Sequence, residues 1–182
     1  ISGTRGSGTV FFSGCTLGCV FCQNHEISAE GVGKPVTVER LGEIFRELIR
    51  QGAHNINLVT PGHFAPWVAR ALGPALPVPV VCNTGGYERV ETLRLLEGKV
   101  QVYLPDMKYA EPGLAKALSG AENYFPVAAA AIREMVASYT RESGVRVLER
   151  KMATLCRKAA MKLVEGACKS VSITERDLEE YL

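Results

Sequence analysis

Short β-rich runs alternate with helical stretches through the first two thirds of this chain, and that alternation constrains the fold more than any other feature. The runs are residues 9–12, 55–59, 78–82 and 100–104. After the first of them, Leu41, Ile44, Phe45, Leu48 and Ile49 recur at helical spacing behind a capping Thr37 and before Gly52. Further helices are expected over residues 67–72 and 89–96, the second closed by Gly98. Such repetition predicts an α/β fold with a parallel sheet or barrel, because consecutive parallel strands need a crossover between them. Folds of this kind carry their sites at the C-terminal ends of the strands. The unusual chemistry of this chain lies there: Ser13-Gly14-Cys15, Thr60-Pro61-Gly62-His63, Asn83-Thr84-Gly85-Gly86-Tyr87 and Pro105-Asp106-Met107-Lys108. The four ends are expected to converge on one rim.

Composition narrows the function. The 182 residues, 47% hydrophobic and 22% charged, suit one ordinary domain, or one with a small companion, and argue against a disordered chain. A net charge of +2 gives no strong field to attract nucleic acid or an anionic membrane, so neither is an expected partner. No apolar run is long enough to cross a bilayer. The first residue is Ile1 rather than Met, which leaves room for a leader.

The pattern changes after about residue 137. Residues 132–164 read as almost purely helical, interrupted near Ser143-Gly144, with Val147, Leu148, Met152, Leu155, Ala159, Leu163 and Val164 on one stripe. A short strand is expected at 170–173, then a last helix capped by Thr174. The expected domains are 1–136 and a small, mostly helical 137–182.

Six cysteines are present: Cys15, Cys19, Cys22, Cys82, Cys156 and Cys168. Three fall within eight residues, which reads as a metal site in a reducing compartment, and so the cytoplasm, rather than a disulfide scaffold. Cys-x3-Cys-x2-Cys can wrap three thiolates around one face of a [4Fe–4S] cluster, leaving one iron open. Gly14 and Gly18 permit the sharp turns this needs. The alternative is structural zinc, with His25 completing a Cys3His set.

Cys15-Thr16-Leu17-Gly18-Cys19-Val20-Phe21-Cys22 resembles the signature of radical SAM enzymes, in which an aromatic residue typically precedes the third cysteine; here it is Phe21. Residues 3–15, 22–28, 57–61, 83–88 and 103–109 look like one branch, the uncharacterised homologues of the pyruvate formate-lyase activating enzyme. This resemblance covers about residues 1–136 and implies four strands of a six-unit partial β/α barrel. It implies that Cys15, Cys19 and Cys22 hold a [4Fe–4S] cluster whose open iron chelates S-adenosylmethionine. One-electron cleavage then gives methionine and a 5′-deoxyadenosyl radical that abstracts hydrogen. The implied partners are a glycyl-radical-type protein substrate and an electron donor such as flavodoxin or ferredoxin.

The same resemblance points to Phe21, His63, Asn83, Thr84, Asp106 and Lys108 as cofactor-binding residues. Many family members carry Gly-Gly-Glu after the second strand; this chain has Thr60-Pro61-Gly62-His63, without the carboxylate. Asp106 and Lys108 match the family's Asp-x-Lys element and, as alternate residues of a strand, face one side. Plainer roles stay open. His63 could cap a helix, Asn83 could serve a turn, and Asp106 with Lys108 could be an exposed ion pair. His25 reads as solvated and His54 as a surface turn residue. Cys82 reads as strand packing, Cys156 and Cys168 as inert, and Trp67 and Tyr87 as packing residues.

Residues 139–150, 155–160, 171–175 and 177–182 resemble the small helical lid that ends the ATPase module of Lon protease. Arg146 matches its sensor arginine. The chain contains no G-x-x-x-x-G-K-[ST] loop, no acidic Walker B strand and no serine–lysine protease domain, so Arg146 has no phosphate to read. Residues 130–135 suit both families. The alternative function is therefore an inactive chimera, or a structural zinc module carrying a Lon-like lid fragment.

Overall fold

Four parallel strands lie side by side in chain order in a computed structural model of the protein: β1 (Gly8–Phe11), β2 (Ile56–Val59), β3 (Val80–Thr84) and β4 (Val102–Pro105). The structure describes residues 3–139 and Met161. The helical pattern beyond Tyr139, the expected strand at 170–173, Thr174, Arg146, Cys156 and Cys168 lie outside the described residues. The chain up to Tyr139 forms one compact unit. Its helices are α1 (His25–Ser28), α2 (Val38–Arg50), α3 (Ala65–Leu72), α4 (Val90–Arg94), α5 (Pro112–Ser119) and α6 (Tyr124–Tyr139), with a 3-10 turn at Gly62–Phe64.

The alternation of strand residues sorts the sheet's two faces. Val10, Leu58, Cys82 and Tyr103 share one level and one face, and Ile56 with Val80 lies on the same side. This face packs against Leu41 and Phe45 of α2, Val68 and Leu72 of α3, and Leu96 and Val100. The other face carries Thr9, Asn57, Val81 and Val102 at one level and Phe11, Val59, Asn83 and Leu104 at the next. Thr9, Asn57 and Asn83 thus stand away from the helix-covered core.

α2 begins where its sequence directs. The Thr37 hydroxyl accepts from the Arg40 N–H at 3.2 Å, which satisfies one of the free donors of the first turn. β3 starts two residues later than its apolar run. Pro77 and Pro79 supply no N–H for a ladder, and the first strand N–H, that of Val80, donates to Gln101 Oε1 at 2.8 Å. The strand consequently extends through Asn83 and Thr84, which are ladder residues rather than turn residues. β4 ends at Pro105, so Asp106 and Lys108 follow the strand instead of alternating along it. The Asp106 N–H continues the pairing by one bond, to the Thr84 carbonyl at 2.8 Å.

α6 buries Tyr124, Ala128, Ala131 and Met135, a helical stripe that packs on α4 and β4. Arg94 Nε donates to Glu134 Oε1 at 3.1 Å at the edge of this contact.

Candidate functional site

The strand ends enclose a cavity of about 660 Å³. Its wall includes Cys15, Cys19 and Cys22 together with Phe21, Asn83, Thr84, Asp106 and Lys108, so eight of the nine residues singled out in the sequence meet there. Thr9 and Asn57 contribute polar side chains from the sheet itself.

The cysteine loop is built by backbone bonds. The Phe12 N–H donates to the Val59 carbonyl at 3.2 Å, ending the β1 pairing. Gly14 then turns the chain at φ +86°, and its N–H donates to the Ile27 carbonyl at 2.9 Å. Gly18, at φ +58°, starts the second bend, and the Cys22 N–H closes a tight turn onto the Cys19 carbonyl at 3.1 Å. Both glycines occupy left-handed backbone, where a Cβ would be strained. The Val20 N–H donates to the Leu118 carbonyl at the end of α5, 3.0 Å away. Leu17 and Cys19 are buried against Tyr109 and Tyr124.

His63 is the ninth residue, and it does not line the cavity. Its Nε2 pairs with the Ser13 carbonyl at 2.8 Å, and its ring lies behind Gly14. It therefore holds the entry of the cysteine loop instead of facing a bound molecule. Lys108 Nζ donates to Asp106 Oδ2, so the pair is formed, and it is formed at the cavity wall. That hydrogen bond is the main reason the Lys108 ammonium is held above its ordinary pKa; Cys19 and Cys22 add smaller contributions against the opposing effect of burial.

The sequence reading gives three further residues no role of their own, although Thr60 lies in a strand-end motif and Glu88 in the stretch 83–88. Thr60, at the end of β2, has φ +56°, a costly conformation for a β-branched side chain, and it lines the cavity. Glu88 folds back so that its carboxylate lies directly over Gly62, where a Cβ would meet Oε2 at 2.0 Å. Thr84 Oγ1 donates to Glu88 Oε1 at 2.7 Å and accepts from the Gly86 N–H at 3.2 Å. Burial raises the Glu88 pKa; the Thr84 bond and the nearby His63 oppose that rise. A carboxylate thus reaches the end of β2 in space although none stands there in sequence. Tyr124 is the third, and its hydroxyl ties together the segments that follow β3 and β4.

Among the described residues, no group of three or more His, Cys, Asp or Glu is gathered closely enough to hold a metal ion. The Cys19 thiol lies beside the Tyr109 hydroxyl. The donor set still suits an iron–sulfur cluster, since three thiols on one short loop share one cavity wall. His25 does not join them. Its side chain is 55% exposed, stands 3.8 Å from Glu30 and lies outside the cavity wall, so no Cys3His set is assembled. His54 does stand in a bend before β2, but it is half-buried: its ring packs against Gly3, and its Nε2 is buried. Cys82 is buried in β3, where burial, with a smaller push from Glu88, drives its thiol pKa far up and leaves it inert. Trp67 is half exposed, and the Tyr87 hydroxyl donates to Asn123 Oδ1 at 2.6 Å.

Residues 2–62 match the 4Fe-4S single cluster domain. That span contains β1, the cysteine loop and β2. Residues 119–171 match the Lon protease AAA+ ATPase lid domain. An uncharacterized protein of Methanocaldococcus jannaschii is 34% identical over 132 residues, which cover 66% of this chain and 38% of that protein. The Lon protease of Desulforamulus reducens is 34% identical over 109 residues, 60% of this chain and 12% of the protease. Lon protease 2 of Thermus thermophilus is 39% identical over 97 residues, 53% of this chain and 12% of the protease. The chain thus spans well under half the length of each. The archaeal and the D. reducens alignments together exceed the chain's length, so the two resemblances overlap. No solved structure matches the chain. Among the described residues, no helix is long and apolar enough to cross a membrane.

Proposed function

We propose that this chain is a radical SAM iron–sulfur protein of the pyruvate formate-lyase activating enzyme-like group. The observation that carries the reading is the meeting of all three cysteines of Cys-x3-Cys-x2-Cys, in a segment matching a 4Fe-4S domain, with Asn83, Thr84, Asp106 and Lys108 in one cavity. Cys15, Cys19 and Cys22 would hold the cluster. Bound there, a [4Fe–4S] cluster supplies the one-electron chemistry that cleaves the sulfonium bond of S-adenosylmethionine.

The protein's own residues bind and orient. Phe21 stands on the cavity wall with an edge-on contact to Tyr109, ring centroids 6.0 Å apart, and offers an apolar surface beside the thiols. Lys108 and Asp106 present opposite charges side by side, which suits the carboxylate and ammonium of a methionyl group. Asn83 offers uncharged donors and acceptors from β3. Thr84 spends its hydroxyl on Glu88 and Gly86, so its part is to fix the β3 end. His63 and Gly14 set the loop entry. On this reading, hydrogen comes from a glycyl-radical-type protein and the electron from a flavodoxin or ferredoxin type of donor.

The test is anaerobic reconstitution with iron and sulfide, followed by reduction and EPR with and without S-adenosylmethionine. Stoichiometric iron and sulfide, and a reduced-cluster signal that changes on adding S-adenosylmethionine, are expected. Cys15→Ala, Cys19→Ala and Cys22→Ala should each lose the cluster, whereas His25→Ala should keep it. Recovery of zinc without sulfide, or metal loss in His25→Ala, would overturn the reading in favour of the zinc module. A protein that takes up no cluster would be a chimera carrying the motif without a working pocket.

A further inference from the structure

Tyr124 opens α6, inside the segment that matches the Lon lid, yet its side chain is wholly buried among strand-end residues of the cavity. Its hydroxyl accepts from the Lys108 N–H at 2.7 Å and donates to the Gly85 carbonyl at 2.7 Å, with the Asp106 carbonyl at 3.3 Å. One phenol oxygen thus joins the segment after β3 to the segment after β4. Gly86 lies beside the phenol in left-handed backbone, at φ +77°, where a side chain would be strained. The ring stacks on Tyr87 with centroids 5.9 Å apart and meets Tyr109 edge-on at 5.2 Å. Tyr109 in turn lies beside Cys19, and its hydroxyl pairs with Ser119 Oγ at 2.5 Å.

We propose that Tyr124 is a positioning residue for the cofactor rim, holding Asp106 and Lys108 at a fixed place relative to the cysteine loop. The inference rests on the radical SAM reading and deepens it. A loop of two charged side chains beyond a strand end has many conformations. Anchoring its backbone at the Asp106 carbonyl and the Lys108 N–H removes most of them before a ligand arrives. A buried hydroxyl suits this better than a carboxylate because it both donates and accepts without carrying charge. The first residue of the lid-matching helix therefore braces the cavity rim from behind, through Gly85, Asp106 and Lys108.

The experiment compares wild type, Tyr124→Phe, Lys108→Met and the double variant after reconstitution, with Tyr87→Phe as a control that deletes a neighbouring hydroxyl away from the rim. Tyr124→Phe should keep wild-type iron and sulfide, while its Kd for S-adenosylmethionine, read by EPR titration, rises about tenfold. In the Lys108→Met background that effect should shrink, because Lys108→Met keeps the backbone N–H that Tyr124 holds but removes the ammonium whose place that bond sets. Tyr87→Phe should titrate as wild type. A Tyr124→Phe protein that titrates as wild type overturns the inference and leaves the radical SAM reading intact. Cluster loss in Tyr124→Phe marks a merely structural role and also overturns it. A wild-type signal indifferent to S-adenosylmethionine overturns both. Amide exchange in the unmutated chain gives an independent check even if Tyr124→Phe does not fold. The Lys108 N–H should exchange slowly, and an unprotected one would refute the anchor.

Discussion

Glu88 owes its raised carboxyl pKa to burial, which the Thr84 hydrogen bond and His63 offset only in part. The folded chain therefore holds this proton more tightly than the unfolded chain does. Between the ordinary value of 4.5 and the raised one, the native state binds more protons. The contribution to stability is full below the ordinary value and is lost as pH rises through the raised one. Glu88→Gln keeps an acceptor for Thr84 and removes the ionisation. Thermal melts from about pH 4 to about pH 8 should show the variant gaining on wild type as pH rises through that window. A difference that stays constant with pH would mean that Glu88 titrates as an ordinary carboxyl. The residue was not legible in the sequence, because its partners are set by how the chain returns over Gly62. Tyr124 escaped for the same reason, with the Gly85 carbonyl 39 residues away. The cysteines were legible because their spacing is local, whereas the placing of His63 behind the loop needed the sheet.

Capping and periodicity made α2 the most readable element. Thr37, Leu41, Phe45 and Gly52 stand where a cap, two core contacts and a stop are required, and the structure uses each of them so. Thr37→Ala removes the acceptor for the Arg40 N–H and should cost about 1 kcal/mol. Urea unfolding would show it as a lower midpoint at unchanged m; an unchanged midpoint would mean water serves that N–H equally well. β3 was misread by two residues because apolar character begins at Val78, whereas Pro77 and Pro79 have no N–H to donate and pairing with β2 starts only at the Pro79 carbonyl, which accepts from the Ile56 N–H at 3.0 Å. The slip matters for the site. Moving the strand forward makes Asn83 a ladder residue on the open face of the sheet, level with Phe11 and Val59. The strand–helix alternation predicted the parallel pairing; it carried no information on which sheet face would be left to line a cavity.

At the scale of the whole chain, the lid match takes in α6, and packing decides which neighbours that helix serves. The Lon lid match begins at residue 119, but the compact unit runs to Tyr139. Within that overlap Tyr124 and Ala128 are buried among Leu17, Cys19 and Tyr109, and Ala131 and Met135 are buried with Leu93. Tyr124 and Met135 alone are each worth about 1.5–3 kcal/mol of burial. That is a large part of the about 5–15 kcal/mol by which an ordinary domain is stable. Stopping the chain after Tyr139 should therefore leave a unit that melts cooperatively and still takes up iron and sulfide. Stopping it after Leu118, at the edge of the family match, should give a protein without a cooperative transition. Circular dichroism melts and protease resistance of the two truncations distinguish the cases. If the Leu118 form folded, α6 would belong to the lid in structure as well as in sequence, and the buried contacts of Tyr124 would carry no weight. If the Tyr139 form failed, residues 140–182 would be needed for the core. The contacts at Leu93, Gly85 and Lys108 argue against both outcomes, since each is completed by a residue that precedes Tyr139.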